Sequence, residues 1–208
     1  MLGAAFAQSS VSGINDGVSA YRAGDYTAAW SLLEAGANEG SAKAQRYLGY
    51  ILLEGHAPAA AKMDQFAGVE LLKRAALAGD NVALVRLEDL RRKGLAHSPS
   101  LEDMIAIETF RAGNGDPVSA WRLAKRHEHG EGVAVSEGDE AKWLEIAASA
   151  EASQFPKAGQ AAFRLCEIKA MGVETRDSVA ARRWCGMAAE SGHTGAAIVL
   201  RRLASLQG

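Results

Sequence analysis

Two cysteines carry the most specific chemistry in this chain. Cys166 and Cys185 lie nearly symmetrically about a turn predicted near residues 172–177, so an antiparallel helix pair joined by that turn would place them face to face. Such a thiol pair can form a disulfide, which requires an oxidising compartment. The alternative is a pair of buried free thiols in a reducing compartment. We predict the disulfide.

The histidines and acidic residues give little support for a metal site. His127 and His129 are two residues apart, and on a helix such residues point roughly 200° away from each other. His127 is predicted to pack in the core. An acidic cluster lacks the D-x-D-x-D-G spacing of a calcium loop, and we interpret it as a solvated face. Its members are Glu128, Glu131, Glu137, Asp139, Glu140 and Glu145. We therefore predict neither a metal nor a cofactor.

Known catalytic motifs are missing from the sequence. It contains no S-x-x-K, G-x-S-x-G or H-E-x-x-H pattern. The stretch Gly130-Glu131-Gly132-Val133 superficially suggests a phosphate loop, but it follows a predicted helix and lacks the lysine or third glycine. We interpret this stretch as a turn between helices and predict no catalytic residues.

An internal repeat determines which elements position these side chains. Each of four anchor glycines has a large apolar residue eight positions before it, an alanine three before it and a leucine eight after it. A fifth, longer copy leads to Leu165, and the leucines recur at intervals of 35 to 42 residues. Such a period indicates a solenoid of stacked units. The anchors are Gly40, Gly79, Gly115 and Gly192, and their leucines are Leu48, Leu87, Leu123 and Leu200.

Each block predicts a helix hairpin. An apolar residue followed by alanine at the fourth and fifth positions forms one helical stripe, and glycine ends the helix because it adopts the left-handed conformation readily. No alternating pattern typical of strands is present. The predicted helices lie near 14–23, 25–38, 42–54, 64–78, 81–94, 101–113, 117–129, 137–150, 158–171, 177–191 and 194–206.

The repeat resembles the Sel-one-like repeat (SLR) family, a relative of the tetratricopeptide repeats. The matching segments are 42–55, 120–133 and 180–197, whereas the unit 81–115 is degenerate because Glu88 replaces a glycine and the Gly-x-Gly-Val loop is absent. The resemblance implies an all-α fold, a right-handed α-α superhelix of about five hairpins plus a C-terminal helix. We expect residues 14–208 to form one such solenoid domain.

The resemblance also implies a function. It predicts a non-enzymatic scaffold or adaptor that binds another protein or peptide in its concave face, as a regulator of an envelope sensor, a secretion scaffold or an immunity protein. The alternative is a cell-wall or β-lactam-related hydrolase of the cysteine-rich SLR type. In those cysteine-rich relatives the bridge falls at positions matching Ala162 and Ala189, one helical turn from Cys166 and Cys185.

The register of the repeat predicts the binding face. In tetratricopeptide-like solenoids, residues two and five positions from the key leucine of the first helix point into the groove. Aromatic residues at Tyr50, Trp121 and Phe163 are unexpected there, because stability alone favours solvated polar groups; a register error of one residue is the alternative explanation. The predicted partner-binding residues are Arg46, Tyr50, Asp89, Arg92, Trp121, Lys125, Glu128, Phe163, Glu167 and Arg202.

Charge and hydropathy limit the partners further. The chain has 23 basic and 25 acidic residues, a net charge of −2, so it lacks the excess that nucleic acid binding requires. No apolar run approaches the ~18 residues that cross a bilayer, and we predict no membrane span. Residues 157–208 carry eight basic and four acidic side chains, an asymmetry that can orient a protein partner.

The N-terminus resembles the end of a signal peptide. Ala5-Phe6-Ala7 before Gln8 matches a signal peptidase site, although no basic residue precedes it. We interpret residues 1–13 as a signal-peptide remnant or a disordered N-terminus. The protein is accordingly predicted to be periplasmic or secreted.

Overall fold

The computed structural model describes residues 2–61, 64–173 and 175–205, and it describes side chains from Ser12 onward except that of Ala60. All regular secondary structure in these residues is helical. Within them, four pairs of successive helices pack as hairpins, and the last described helix packs on the hairpin before it, which confirms the predicted α-α solenoid of helical hairpins. The helices are α1 (Leu2–Arg22), α2 (Tyr26–Asn38), α3 (Ala42–Leu53), α4 (Gln65–Leu77), α5 (Asn81–Lys93), α6 (Leu101–Gly113), α7 (Pro117–His129), α8 (Glu137–Ala148), α9 (Ala158–Met171), α10 (Ser178–Glu190) and α11 (Thr194–Ser205).

Short polar side chains begin most of these helices. Asp80 precedes α5, and its Oδ1 accepts hydrogen bonds from the amides of Val82 and Ala83, both at 2.9 Å. Such a cap satisfies amides that have no partner within the helix. The same role is played by Asp25, Ser41, Asp64, Asp116, Ser136 and Asp177 before α2, α3, α4, α7, α8 and α10.

The four anchor glycines lie in the left-handed conformation directly after a helix. Gly40, Gly79, Gly115 and Gly192 have φ angles of 91°, 96°, 87° and 85°. A residue with a Cβ is strained in this region, so glycine is suited to these turns. The repeat register therefore placed the ends of these hairpin helices correctly.

The N-terminal helix is longer than predicted. Helix α1 begins at Leu2, whereas we predicted a helix starting near residue 14. The side chains of the proposed cleavage motif, Ala5-Phe6-Ala7, lie outside the described ones. The interpretation of residues 1–13 as a signal remnant or disordered terminus stays a prediction.

The chain divides into two compact units, and we describe each separately. Unit 1, Met1–Ile107, contains α1 to α5 and the first part of α6. Its core includes Leu33, Ile51 and Leu72, which are fully buried. Helices α3 and α4 approach closely where Gly49 meets Gly68: a Cβ on Gly49 would lie 2.9 Å from the carbonyl oxygen of Gly68.

Unit 2, Glu108–Gly208, contains the end of α6 and α7 to α11. Its core includes the buried Leu123, Leu144 and Leu165. Cys166 on α9 and Cys185 on α10 are both fully buried and form a disulfide, with their Cα atoms 4.8 Å apart. The predicted bridge is confirmed. The interpretation of residues 14–208 as a single domain stays a prediction.

Candidate functional site

The key leucines of the repeat lie on α3, α5, α7, α9 and α11, which we call the first helices. The burial of these leucines shows which sides of the helices face the core. Leu48, Leu87, Leu123 and Leu165 retain between 0% and 4% of their accessible surface. All ten residues predicted to bind a partner are, in contrast, half-buried or exposed. The register thus separates buried from more exposed positions on α3, α5, α7 and α9, whereas the key leucine of α11, Leu200, is half-buried. That the ten residues bind a partner stays a prediction.

Trp121 on α7 is the largest side chain among them. Its half-buried ring lies 6.1 Å from that of Phe155, which is itself buried beneath the surface. The ammonium groups of Lys125 and Lys157 lie 4.9 Å and 5.7 Å from the centre of the indole ring. The indole is therefore supported by an aromatic ring and flanked by two cations, an arrangement that favours a defined ring position.

A network of charged side chains extends from Lys125, which lies beside Trp121 on α7, to α9. Lys125 donates a hydrogen bond to Glu128 at 2.5 Å, and Glu128 lies 3.8 Å from Arg164 on α9. Arg164 also donates to both carboxylate oxygens of Glu140, at 2.7 Å and 3.1 Å, and lies 3.8 Å from Glu167. A bidentate pair of this kind fixes the guanidinium in one orientation. The network joins the predicted residues Lys125, Glu128 and Glu167 through Arg164.

The same contacts determine the protonation of Glu128 and Arg164. Burial alone would raise the pKa of the Glu128 carboxyl, but the hydrogen bond from Lys125 and the nearby charge of Arg164 together lower this pKa. The hydrogen bond to Glu140 raises the pKa of Arg164, although burial opposes it. Glu128 and Arg164 are therefore both charged at neutral pH.

Phe163 packs against the final helix. Its ring stacks on His193 with centroids 3.8 Å apart, and a Cβ added to Gly195 would lie 2.8 Å from Phe163 Cζ. The half-buried ring thus connects α9 with the start of α11. Ile198 occupies the same register position on α11 and is 63% exposed, but our sequence prediction missed it.

These contacts define a surface in unit 2 that we call the Trp121 face. It comprises Trp121, Lys125, Glu128, Phe163, Glu167 and Arg202 on the first helices α7, α9 and α11. Neighbouring helices are connected by the Glu128–Arg164 contact and by the packing of Phe163 on Gly195. Arg202 is exposed at the α11 end.

In unit 1, Arg46 and Tyr50 belong to an aromatic cluster. Arg46 pairs with Asp80 at 2.7 Å, and its guanidinium lies 4.6 Å from the ring of Tyr47 and 5.9 Å from that of Tyr50. Both rings contact Tyr21, with centroids 5.1 Å and 6.3 Å away. The predicted pair therefore lies together, within packing that the sequence prediction had missed.

The cluster collects all four tyrosines of the chain. Tyr26 lies 5.7 Å from Tyr21 and stacks on His56 at 4.1 Å. The Tyr21 hydroxyl donates to Glu54 at 2.9 Å. Burial, followed by that hydrogen bond, strongly raises the pKa of Tyr21. Tyr21 therefore serves as a neutral hydrogen-bond donor that joins α1 to α3.

Asp89 and Arg92 form a local charge group on α5. Asp89 lies 3.0 Å from Arg86, 2.9 Å from Lys93 and 3.9 Å from Arg92. The hydrogen bond from Lys93 lowers the pKa of the Asp89 carboxyl. These are pairs within a single helix, and exposed pairs of this kind contribute little stability.

The acidic cluster is not a uniformly solvated face, and that interpretation was wrong for Glu140. Glu140 is 3% exposed because it pairs with Arg164. Glu137 also has a specific role, since it accepts hydrogen bonds from the amides of Val173 and Thr175 and from the Thr175 hydroxyl. These carboxylates hold helices and a loop in place.

His127 contacts the loop that follows α7. Its Nδ1 lies 3.1 Å from the carbonyl oxygen of Ala134, and its side chain is 15% exposed. In the described part of the chain, no group of three or more histidine, cysteine, aspartate or glutamate side chains is placed to hold a metal ion. Nor does any described helix combine the length and apolarity needed to cross a membrane.

Solved structures with a similar fold include the following two. One is a protective antigen present in uropathogenic Escherichia coli strains displaying an SLR fold, with a TM-score of 0.63 and 21% identity over 96% of this chain. This chain spans only 42% of the length of that antigen. The other is a Sel1 repeat protein from Oxalobacter formigenes, with a TM-score of 0.58 and 19% identity, covering 89% of this chain and 73% of that one. No curated protein matches this sequence.

The sequence stretches that match a family model coincide with three of the hairpins. Residues 42–80, 117–151 and 159–193 match the Sel1 repeat, and these stretches correspond to the hairpins α3–α4, α7–α8 and α9–α10. The unmatched unit between the first two contains the degenerate copy 81–115. Members of such repeat families commonly serve as protein-interaction scaffolds. The chain belongs to the Sel1 repeat family.

Proposed function

We propose that this protein is a non-enzymatic scaffold that binds a segment of a partner protein on the Trp121 face. The observation that carries the proposal is Trp121 itself, a large aromatic side chain left half-buried at a position where the repeat requires no core contact. Buried aromatic anchors commonly dominate the energy of protein interfaces. A partner that covers the exposed part of the indole would gain such an anchor.

The surroundings of Trp121 favour binding because they are already ordered. Phe155 supports the ring from below, while Lys125 is held by Glu128. Arg164 is fixed in turn by Glu140. Binding to side chains that are held in place costs less conformational entropy than binding to free ones. The fixed charges also give the face a pattern that selects among partners.

The predicted contacts in unit 1 remain part of the proposal. Arg46, Tyr50, Asp89 and Arg92 occupy the corresponding positions on α3 and α5. Arg46 and Tyr50 join a tyrosine cluster suited to the same kind of aromatic contact.

A comparison of two variants tests this function. Wild-type and Trp121→Ala proteins are immobilised at equal density and exposed to an envelope extract of the source organism. A protein retained by wild type is then purified, and its Kd for both forms is measured. We expect binding to weaken at least several-fold, and about thirtyfold for a typical aromatic anchor of about 2 kcal/mol.

Phe66→Ala provides the matched control. Phe66 is an aromatic residue of unit 1 that is 58% exposed and lies outside the Trp121 face. Its replacement should leave the Kd unchanged. Equal Kd values for wild type and Trp121→Ala would overturn the proposal.

We also infer that the native protein is exported to the periplasm or beyond. The disulfide between Cys166 and Cys185 supports this, because such bonds persist in oxidising compartments. The Ala5-Phe6-Ala7 motif gives independent sequence support. Fractionation of the source cells tests the inference, and a native protein found only in the cytoplasm with two free thiols would contradict it.

A further inference from the structure

We propose that a cavity between α9 and α11 binds the part of the partner in which an apolar side chain lies beside a carboxylate. This inference rests on the proposed function and deepens it, because it states the chemistry of the bound segment. The cavity lies at the α11 end of the Trp121 face, where Arg202 contributes to both.

The cavity offers an apolar surface of the right size for a side chain. Its volume is about 460 Å³, within the range of small-ligand sites in proteins. The apolar wall is formed by Met171 at the end of α9 and by Ile198, Val199 and Leu203 on α11. Met171 and Ile198 are 54% and 63% exposed, so large apolar groups face solvent here. Covering them with an apolar side chain is favourable.

Two guanidinium groups also line this cavity. Neither Arg176 nor Arg202 forms a salt bridge within the part of the chain that the structure describes. Arg164 and Arg126, in contrast, are engaged by Glu140 and Glu108. Arginine recognises carboxylates well because its planar fork can donate two parallel hydrogen bonds. Arg176 and Arg202 are therefore suited to hold a carboxylate of the ligand.

Carboxylates near the cavity are already engaged. Asp177 accepts hydrogen bonds from the amides of Val179 and Ala180, and Glu137 accepts those of Val173 and Thr175. Glu167 lies beside Arg164. The last part of the chain, 157–208, carries eight basic and only four acidic side chains. This excess of positive charge favours an acidic segment over a basic one.

Two peptide pools test the inference directly. Both contain fluorescently labelled peptides of equal length in which Leu, Ile, Val and Phe alternate with charged residues, Asp and Glu in one pool and Lys and Arg in the other. Binding is followed by fluorescence anisotropy at moderate salt. We expect the acidic pool to bind with a Kd below about 1 mM and the basic pool to bind at least about tenfold more weakly.

Charge reversal then locates the site. The double variant Arg176→Glu/Arg202→Glu should weaken binding of the acidic pool at least about tenfold. Arg201→Glu is the matched control, since Arg201 is an exposed neighbour on α11 that does not line the cavity. The inference is overturned if the acidic pool does not bind, if both pools bind equally, or if Arg201→Glu weakens binding as much as the double variant.

The native partner separates this inference from the proposed function. If Trp121→Ala weakens the partner but Arg176→Glu/Arg202→Glu does not, the scaffold function stands and the cavity inference fails. If only the charge reversal weakens the partner, the cavity inference stands and Trp121 is not the anchor. Loss of affinity in both variants supports both.

Discussion

Glu108 on α6 and Arg126 on α7 form a buried bidentate ion pair, with Arg126 Nε 2.6 Å from Glu108 Oε2 and Nη2 3.2 Å from Oε1. Glu108 is fully buried and Arg126 is 4% exposed. A second guanidinium, that of Arg122, lies 3.7 Å from Glu108. Charges taken out of water need such partners, so this pair fixes the packing of α7 against the end of α6.

Removing the charge of Glu108 should strongly destabilise unit 2. Glu108→Gln removes the buried carboxylate that pairs with Arg126 and leaves that buried guanidinium with the half-exposed Glu131, so we expect a loss of about 3–5 kcal/mol in the free energy of unfolding. Urea denaturation measures this loss in the free energy of unfolding. Glu131→Gln is the control: Glu131 also contacts Arg126, at 3.2 Å, but is 49% exposed and should cost less than about 1 kcal/mol. Equal effects of the two variants would contradict this account.

The disulfide should stabilise unit 2 by limiting the freedom of the unfolded chain. Cys166 and Cys185 are 19 residues apart, and closing a loop of about that length contributes about 3 kcal/mol. We expect dithiothreitol to lower the urea midpoint of the wild type. The Cys166→Ala/Cys185→Ala variant should not respond to the reductant. A wild type that does not respond either, or that shows two free thiols when unfolded without reductant, would refute the bridge.

The contact between α3 and α4 should not tolerate a larger residue. In Gly49→Ala the new Cβ would lie 2.9 Å from the backbone oxygen of Gly68, which cannot move aside cheaply. We expect destabilisation of about 1–3 kcal/mol by urea denaturation. Gly186→Ala is the matched control, because this helical glycine on α10 has nothing within 4 Å of an added Cβ. It should instead stabilise by about 0.5–1 kcal/mol.

The repeat made most of the fold predictable from the sequence. Anchor glycines such as Gly79 and key leucines such as Leu87 act through local backbone conformation and helical periodicity, which a single sequence displays. The position of the disulfide followed from the same hairpin symmetry.

Charged and aromatic contacts were harder to predict. Glu108, Arg126 and Glu140 belong to residue types that are usually exposed, and their burial depends on which helices pack together. The pattern of one helix does not contain that information. The tyrosine cluster was missed for the same reason, since Tyr21 and Tyr47 meet only through packing of α1 on α3. The spacing of Tyr47 and Tyr50 on one helix face was the available signal.

Acidic pH should weaken the ion pair between Lys73 on α4 and Asp103 on α6, which lie in unit 1. The hydrogen bond from Lys73, at 2.7 Å, and those from Ser100 hold the pKa of Asp103 below its ordinary value, although burial opposes them. A carboxyl with a lowered folded-state pKa stabilises the fold above its unfolded pKa of about 4, and this contribution is lost as pH falls through the folded-state pKa.

The Asp103→Asn variant makes this dependence measurable. The difference in unfolding free energy between wild type and Asp103→Asn should be largest at neutral pH and should shrink below about pH 4. Urea denaturation at a series of pH values gives both quantities. Glu102→Gln, at the exposed neighbouring position, controls for the general loss of an acidic residue from the first turn of α6. A difference that stays constant down to strongly acidic pH would contradict the account.

The most direct test of the central claim is the affinity of Trp121→Ala for the native partner, measured beside its thermal stability. Because Trp121 is half-buried on the surface and supported rather than enclosed by Phe155, the account predicts nearly unchanged helicity and Tm together with an affinity at least several-fold weaker. A large loss of stability with unaltered affinity would show that Trp121 belongs to the core and that the Trp121 face is not the binding surface.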